Sequence, residues 1–254
     1  MIRIAAVGDI HMGPESQGVL RPAFETLPEC ADLLLLAGDL TRHGTPEEMR
    51  VVAREIQDLG VPVVAVLGNH DHHDDRPDEV SAILREVGAH VLEGQGTVVE
   101  SGGARIGVAG TKGFGGGFVG RCAGEFGEPL MKEFVRYSRR RADALRAALE
   151  GLGEKGCDAR IALTHYSPVP ETLAGEPLEI YPFLGSYLLA EAIDTAGADL
   201  AVHGHAHAGT EHGMTSGGVR VRNVAQPVIG RAFHVYHLPV RDHATTGAAA
   251  RAAH

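Results

Sequence analysis

The sequence predicts an α/β fold. It reads as one domain over residues 1–241, built on a largely parallel, buried sheet, with residues 242–254 as a flexible C-terminal tail. Three observations carry this. Short unbroken apolar runs alternate with stretches whose apolar residues recur at helical spacing. Glycines punctuate the ends of most of these segments. No internal repeat, interdomain linker or membrane-length apolar run breaks the pattern. A strand buried on both faces is apolar throughout, and such strands between amphipathic helices belong to a parallel sheet covered on both sides.

The elements follow in order. Ile2–Val7 and Leu33–Ala37 read as buried strands, the second ending at Gly38-Asp39. Glu47–Leu59 places Met49, Val52, Ala53, Ile56 and Leu59 on one helical face and stops at Gly60. Pro62–Leu67 is the next strand, ending at Gly68-Asn69, and Pro77–Val87 the next helix, ending at Gly88. Thr97–Glu100 and Arg105–Ala109 flank Ser101-Gly102-Gly103, the signature of a hairpin. A glycine-rich loop from Gly110 to Pro129 is longer than ordinary connections, which marks it as functional or mobile. Met131–Glu154 is a long Arg-rich helix, Ile161–Thr164 a strand, Tyr187–Ala196 a helix and Leu200–Val202 a strand. Val219–Val224 and Phe233–Leu238 alternate with period two and are expected to close the fold as antiparallel strands.

Composition narrows the class of function. The 254 residues are 44% hydrophobic and 22% charged, which is a globular balance. Twenty-three Lys and Arg against 33 Asp and Glu leave a net charge of −10, which weighs against a nucleic-acid partner. Leu33–Ala37 has the length of a strand, far short of the ~18 residues of a membrane helix. Cys30, Cys122 and Cys157 form neither a disulfide framework nor a CxxC knuckle, so a reducing cytoplasm is the simplest compartment.

The chemistry-bearing residues cluster at strand ends. Asp9 and His11 follow the first strand, Asp39 the second, and Asn69, His70 and Asp71 the third. His165 follows the strand ending at Thr164, and His205 and His207 follow the strand ending at Val202. Ligands of open α/β sheets bind at the carboxyl ends of the strands. Taken singly, Asp39 reads as a helix cap and each His as a satisfied polar residue. Together, five strands deliver nitrogen and oxygen donors without sulfur to one edge. That set suits Mn²⁺, Fe or Zn²⁺ rather than a thiolate site, and its seven side chains are enough for two ions if one carboxylate bridges.

Asp9-Ile10-His11, Gly38-Asp39, Gly68-Asn69-His70-Asp71, His165 and Gly204-His205-Ala206-His207 resemble, in order, the five motif blocks of the calcineurin-like metallophosphoesterase superfamily. The resemblance spans residues 8 to 207. It implies a four-layer αββα sandwich with two mixed central sheets and a binuclear centre at the strand ends. It assigns Asp9, His11 and His207 to one metal, Asn69, His165 and His205 to the other, and Asp39 as the bridge. His70 would contact the phosphate and protonate the leaving group, with Asp71 orienting its imidazole.

The implied activity is in-line hydrolysis of a small phosphate ester by a metal-bridging hydroxide, most of all a phosphodiester such as a cyclic nucleotide. A nuclease, a phosphomonoesterase and a non-catalytic scaffold are the alternatives. One departure stands out. The family's protein phosphatases carry an Arg four positions after the bridging Asp, where this sequence has His43, with Arg42 one position earlier. His43, Lys112 and Arg121 are therefore the candidate phosphate contacts, the last two on the glycine-rich loop, which would act as a lid with Phe114 and Phe118 as anchors. Arg136, Arg139 and Arg140 share a helix face that reads as solvated. The oligomeric state stays open, a dimer included.

Overall fold

A computed structural model describes residues 1–240; the expected tail lies outside the described residues. Thirteen strands form two large sheets and one small ribbon. The strands are β1 (Ile2–Val7), β2 (Leu33–Ala37), β3 (Val63–Val66), β4 (His90–Val91), β5 (Gln95–Ser101), β6 (Ala104–Thr111), β7 (Gly117–Phe118), β8 (Arg121–Cys122), β9 (Ala159–Thr164), β10 (Leu200–His203), β11 (His212–Met214), β12 (Arg220–Asn223) and β13 (His234–Leu238). The first sheet has the order β13-β1-β2-β3-β4 and the second β11-β12-β10-β9-β6-β5, while β7 and β8 pair alone. Helices α1 (Arg21–Phe24), α2 (Leu27–Cys30), α3 (Pro46–Ile56), α4 (Pro77–Glu86), α5 (Pro129–Gly153), α6 (Tyr181–Leu184), α7 (Tyr187–Ala196) and α8 (Gln226–Ile229) complete the chain.

The unbroken apolar strands have a direct cause. Side chains alternate across a strand, and both faces of each central strand are covered. Leu33, Leu35 and Ala37 of β2 join Ile4, Val64 and Val66 against Ile106, Val108, Ile161, Leu163 and Val202 of the second sheet. Leu34 and Leu36 point the other way, into a core shared with Met49, Val52 and Ile56 of α3 and with Val80 and Leu84 of α4. On the far side, Ala109, Ala162 and Ala201 pack under Leu145, Leu149 and Leu152 of α5 and Leu189 and Ile193 of α7. The result is an αββα sandwich with mixed sheets. β13 and β5 run antiparallel to their neighbours, and β1 to β3, like β6, β9, β10 and β12, run parallel.

Helix ends follow local chemistry. Thr45 caps α3 by accepting the Glu48 N–H, Glu48 returns a carboxylate to the Thr45 N–H, and Pro46 sits where no N–H is needed. Ser186 caps α7 in the same manner through the Leu188 N–H. One expectation is corrected: β12 is antiparallel only to β11 and lies parallel to β10, because α7 and β10 return the chain in the direction of β9 before β12 is laid down.

Candidate metal centre

The carboxyl ends of β1, β2 and β3 in one sheet face the ends of β9 and β10 in the other. Asp9, His11, Asp39 and Asn69 come from the first sheet, and His165, His205 and His207 from the second. Two groups result. The donor atoms of Asp9, His11, Asp39 and His207 lie within 4.8 Å of one another, as do those of Asp39, His165 and His205, and Asp39 is common to both.

The turns that hold these residues are strained. Among the described residues, six non-glycine residues have positive φ, and four of them are Asp9 (54°), His11 (40°), Asp39 (49°) and His205 (71°). Such conformations are unfavourable for residues with a Cβ and concentrate where a site dictates the backbone. Neighbouring glycines make room. A Cβ on Gly68 would lie 2.1 Å from Asp39 Oδ1, and one on Gly204 2.2 Å from Asp9 Oδ2.

Hydrogen bonding tests whether a cation fits. His165 is fully buried, and its Nδ1 lies 2.9 Å from the Ala37 carbonyl oxygen, which can only accept. Nδ1 therefore donates, and Nε2 presents its lone pair. That lone pair meets Asn69 Oδ1 at 2.9 Å and Asp39 Oδ1 at 3.3 Å. A neutral His165 would thus bring three acceptors together with no donor among them, the arrangement that a cation satisfies. On the other side, His11 Nε2 and His207 Nε2 stand 3.4 Å apart, with Asp9 Oδ1 2.9 Å from the latter and Asp39 Oδ2 3.9 Å from the former. Nitrogen and carboxylate donors arranged around a shared oxygen ligand suit a pair of borderline cations.

Titration behaviour reflects the same crowding. Burial alone would raise the Asp39 carboxyl, but the His165 imidazole and the His70 backbone N–H outweigh it and hold it well below the usual carboxylate range. Burial alone would lower His165, and Asp39 outweighs it, pushing the imidazole up to about 9. A proton on Nε2 is how the metal-free protein relieves the convergence. Burial holds His205 down at about 3, which keeps it a neutral donor.

His70 lies outside both donor groups, and Asp71 and His43 are placed differently from expectation. His70 Nδ1 lies 2.7 Å from the Arg42 carbonyl, and its Nε2 is 3.9 Å from Asp39 Oδ2. Asp71 does not orient that imidazole. It is buried and accepts from the Leu40 and Thr41 N–H groups, the Thr41 hydroxyl and the Gly68 N–H, tying the ends of β2 and β3 together. Burial and the Asp39 charge push its carboxyl up to about 6. His43 is exposed and spends Nδ1 on Glu48 at 2.8 Å, so it serves the α3 cap.

The glycine-rich loop is also not a free lid. Phe114 packs on Phe134, Tyr137 and Tyr166, Phe118 is buried beside Leu184 and Ala206, and Gly116 and Gly117 donate to Pro182 and Gly185. Exposed chain begins at Val119 and includes Arg121. Lys112 is buried behind this wall.

The Pro-rich segment Tyr166–Gly185 reads from sequence as a candidate substrate wall without roles for its residues. Tyr166 has its ring centroid 4.3 Å from that of His205 and 5.6 Å from that of His165. Leu178, Tyr181 and Pro182 of the same segment line, with Phe118, Val119 and Arg121, an apolar cleft of about 520 Å³. Phe183, which follows the cleft residue Pro182, has its carbonyl 3.2 Å from His205 Nε2. No helix among the described residues is long and apolar enough to cross a membrane.

Comparison with known proteins bears on family and fold. A "Probable cyclic nucleotide phosphodiesterase" of Synechococcus is 34% identical over 80 residues, 28% of this chain and 31% of that protein. A symmetrical bis(5'-nucleosyl)-tetraphosphatase of Thioalkalivibrio sulfidiphilus is 41% identical over 75 residues, 28% of this chain and 25% of that protein. The matches thus span a third or less of those relatives' length. Among solved structures, a phosphopantetheinyl hydrolase of Mycobacterium tuberculosis superposes with a TM-score of 0.61 at 17% identity, covering 87% of this chain and 88% of that one, a likeness of fold. The sequence profile described as calcineurin-like phosphoesterase matches residues 2–209, so the chain belongs to the calcineurin-like phosphoesterase family, whose members are metal-dependent.

Proposed function

We propose that this protein hydrolyses a small phosphodiester, such as a cyclic nucleotide, at a binuclear centre held by Asp9, His11, Asp39, Asn69, His165, His205 and His207. The observation that carries the reading is the convergence of His165 Nε2, Asn69 Oδ1 and Asp39 Oδ1, beside a second group of metal-binding type that shares Asp39. When bound, two ions such as Mn²⁺, Fe or Zn²⁺ supply Lewis acidity and activate water at neutral pH. The chain supplies the rest. Asp39 spans the two groups, and the Ala37 carbonyl fixes His165 in the tautomer that directs Nε2 inward. Because the Arg42 carbonyl engages His70 Nδ1, Nε2 is the atom that can deliver a proton to a leaving oxygen.

The adjoining cleft supports a substrate with an aromatic or apolar portion. Phe118 and Tyr181 offer ring surfaces and Arg121 a charge at its rim, which suits a nucleobase with its phosphate at the metals. The net charge of −10 supports a small substrate over a long nucleic acid. Three unpaired cysteines suit a reducing cytoplasm.

The test is a substrate profile at matched salt, with Mn²⁺ added and metal content measured. Cyclic nucleotides and bis-p-nitrophenyl phosphate should be cleaved faster than p-nitrophenyl phosphate or single-stranded DNA. Faster cleavage of DNA would make the protein a nuclease. A metal-loaded protein inert toward every ester would make it a scaffold.

A further inference from the structure

We propose that Lys112 provides an anion subsite beside the His165 side of the centre, and that this subsite takes a phosphate group of the substrate. The identity of the arriving anion rests on the phosphoesterase reading; the existence of the subsite does not.

Lys112 follows β6 directly. Its carbonyl accepts the N–H groups of His165 and Tyr166 at 3.1 and 3.0 Å, which fixes it at the same strand-end edge as the centre. Its side chain is buried, at 7% exposure. The ammonium stands 5.2, 5.8 and 5.7 Å from the ring centroids of Phe114, Tyr137 and Tyr166. Among the described residues it has no hydrogen-bond acceptor and no ion-pair partner. The nearby carboxylate, Glu93, is committed elsewhere: it accepts from the Thr111 hydroxyl, the Lys112 backbone N–H and Arg141.

Three ring faces attract an ammonium but offer no lone pair to its N–H groups. The ammonium therefore keeps its N–H groups free at this edge, where an anion can take them. Tyr166 forms one wall of the Lys112 cage and also lies against His205, so cage and centre share that ring. His43, another position expected to carry a phosphate contact, has Nδ1 engaged with Glu48.

The experiment measures anion affinity and stability together on the metal-loaded protein. Orthophosphate and pyrophosphate are titrated calorimetrically into wild type, Lys112→Met and Lys112→Arg, with metal content and Tm recorded for each. The expected result is that Lys112→Met keeps its metals and binds phosphate about ten-fold or more weakly, the weight of one charge-assisted hydrogen bond. Without anion, its Tm equals or exceeds that of wild type, because an unpartnered buried charge is gone. Lys112→Arg should recover part of the affinity. Loss for both anions identifies the transferring phosphate as occupant, and loss for pyrophosphate alone identifies a neighbouring one. An unchanged Kd for both anions with a lowered Tm would overturn the proposal and make Lys112 a structural cation of the cage. If the wild type turns over no ester but its phosphate affinity still depends on Lys112, the phosphoesterase reading fails and the subsite stands.

Discussion

His70 Nδ1 lies 2.7 Å from the Arg42 carbonyl oxygen, a contact that commits one ring nitrogen and leaves the other 3.9 Å from Asp39 Oδ2. His70 thus stands next to the carboxylate that both donor groups share, without joining either. His70→Ala should therefore retain metal while turnover falls about 10²–10⁴-fold, the usual weight of a general acid. The deficit should shrink for p-nitrophenyl esters, whose leaving group needs little protonation. Metal analysis and kcat on two leaving groups check this, and loss of metal would place His70 among the ligands.

Asp39 is the residue common to both donor groups. Asp39→Asn should bind less than the wild-type complement of Mn²⁺, lose activity, and lose most of the rise in Tm that metal gives the wild type. That rise follows from binding to the folded state alone. Elemental analysis with thermal melts at several metal concentrations gives the answer; an equal metal-induced shift in both proteins would remove Asp39 from the bridge.

Asp71 accepts three backbone N–H groups and one hydroxyl. An asparagine there must turn its NH₂ toward at least one of those donors. Asp71→Asn should cost about 1–3 kcal/mol of stability, the range for one buried group left unsatisfied. Urea unfolding checks it. A variant with wild-type stability but strongly reduced kcat would restore the role of imidazole orienter.

His203 is fully buried, with Nδ1 donating to the Gly204 carbonyl and Nε2 facing the Thr172 hydroxyl at 2.8 Å, and burial holds it down at about 3. The unfolded chain binds a proton near pH 6.5 and the folded one does not, so this group removes stability as pH falls below 6.5 and has no effect above it. Between pH 6.5 and 5 the loss is up to about 2 kcal/mol. His203→Gln should flatten that part of the profile relative to wild type. Parallel slopes for the two proteins would show that His203 takes a proton without unfolding.

Much of this was legible in the sequence because it rests on local rules. Tyr187–Ala196 was readable to the residue, with Ser186 before it and Gly197 after it. The strand-end positions of all seven predicted ligands followed from glycines that end apolar runs. Other features depend on partners distant in sequence. Leu33–Ala37 would be equally apolar in one sheet or two, so the division into two sheets came only with the family resemblance. The two-residue strand β4 and the polar β11 carry too little pattern to stand out. Asp71 follows His70 in a 3₁₀ turn, and adjacency says nothing about which way each side chain points. His43 looked free because its partner Glu48 reads as a surface helix residue, whereas the capping box buries it.

The seam between the two sheets has a consequence for biosynthesis. Four of the seven residues lie before residue 70 and three after residue 164, so no fragment of the nascent chain contains a complete set until His207 has left the ribosome. Partial sets on the first sheet would offer loose, unselective chelation to whatever ion is abundant. A complete set of donors therefore exists only once residues on both sides of the seam are present, which ties metal binding at this edge to the docking of the two sheets.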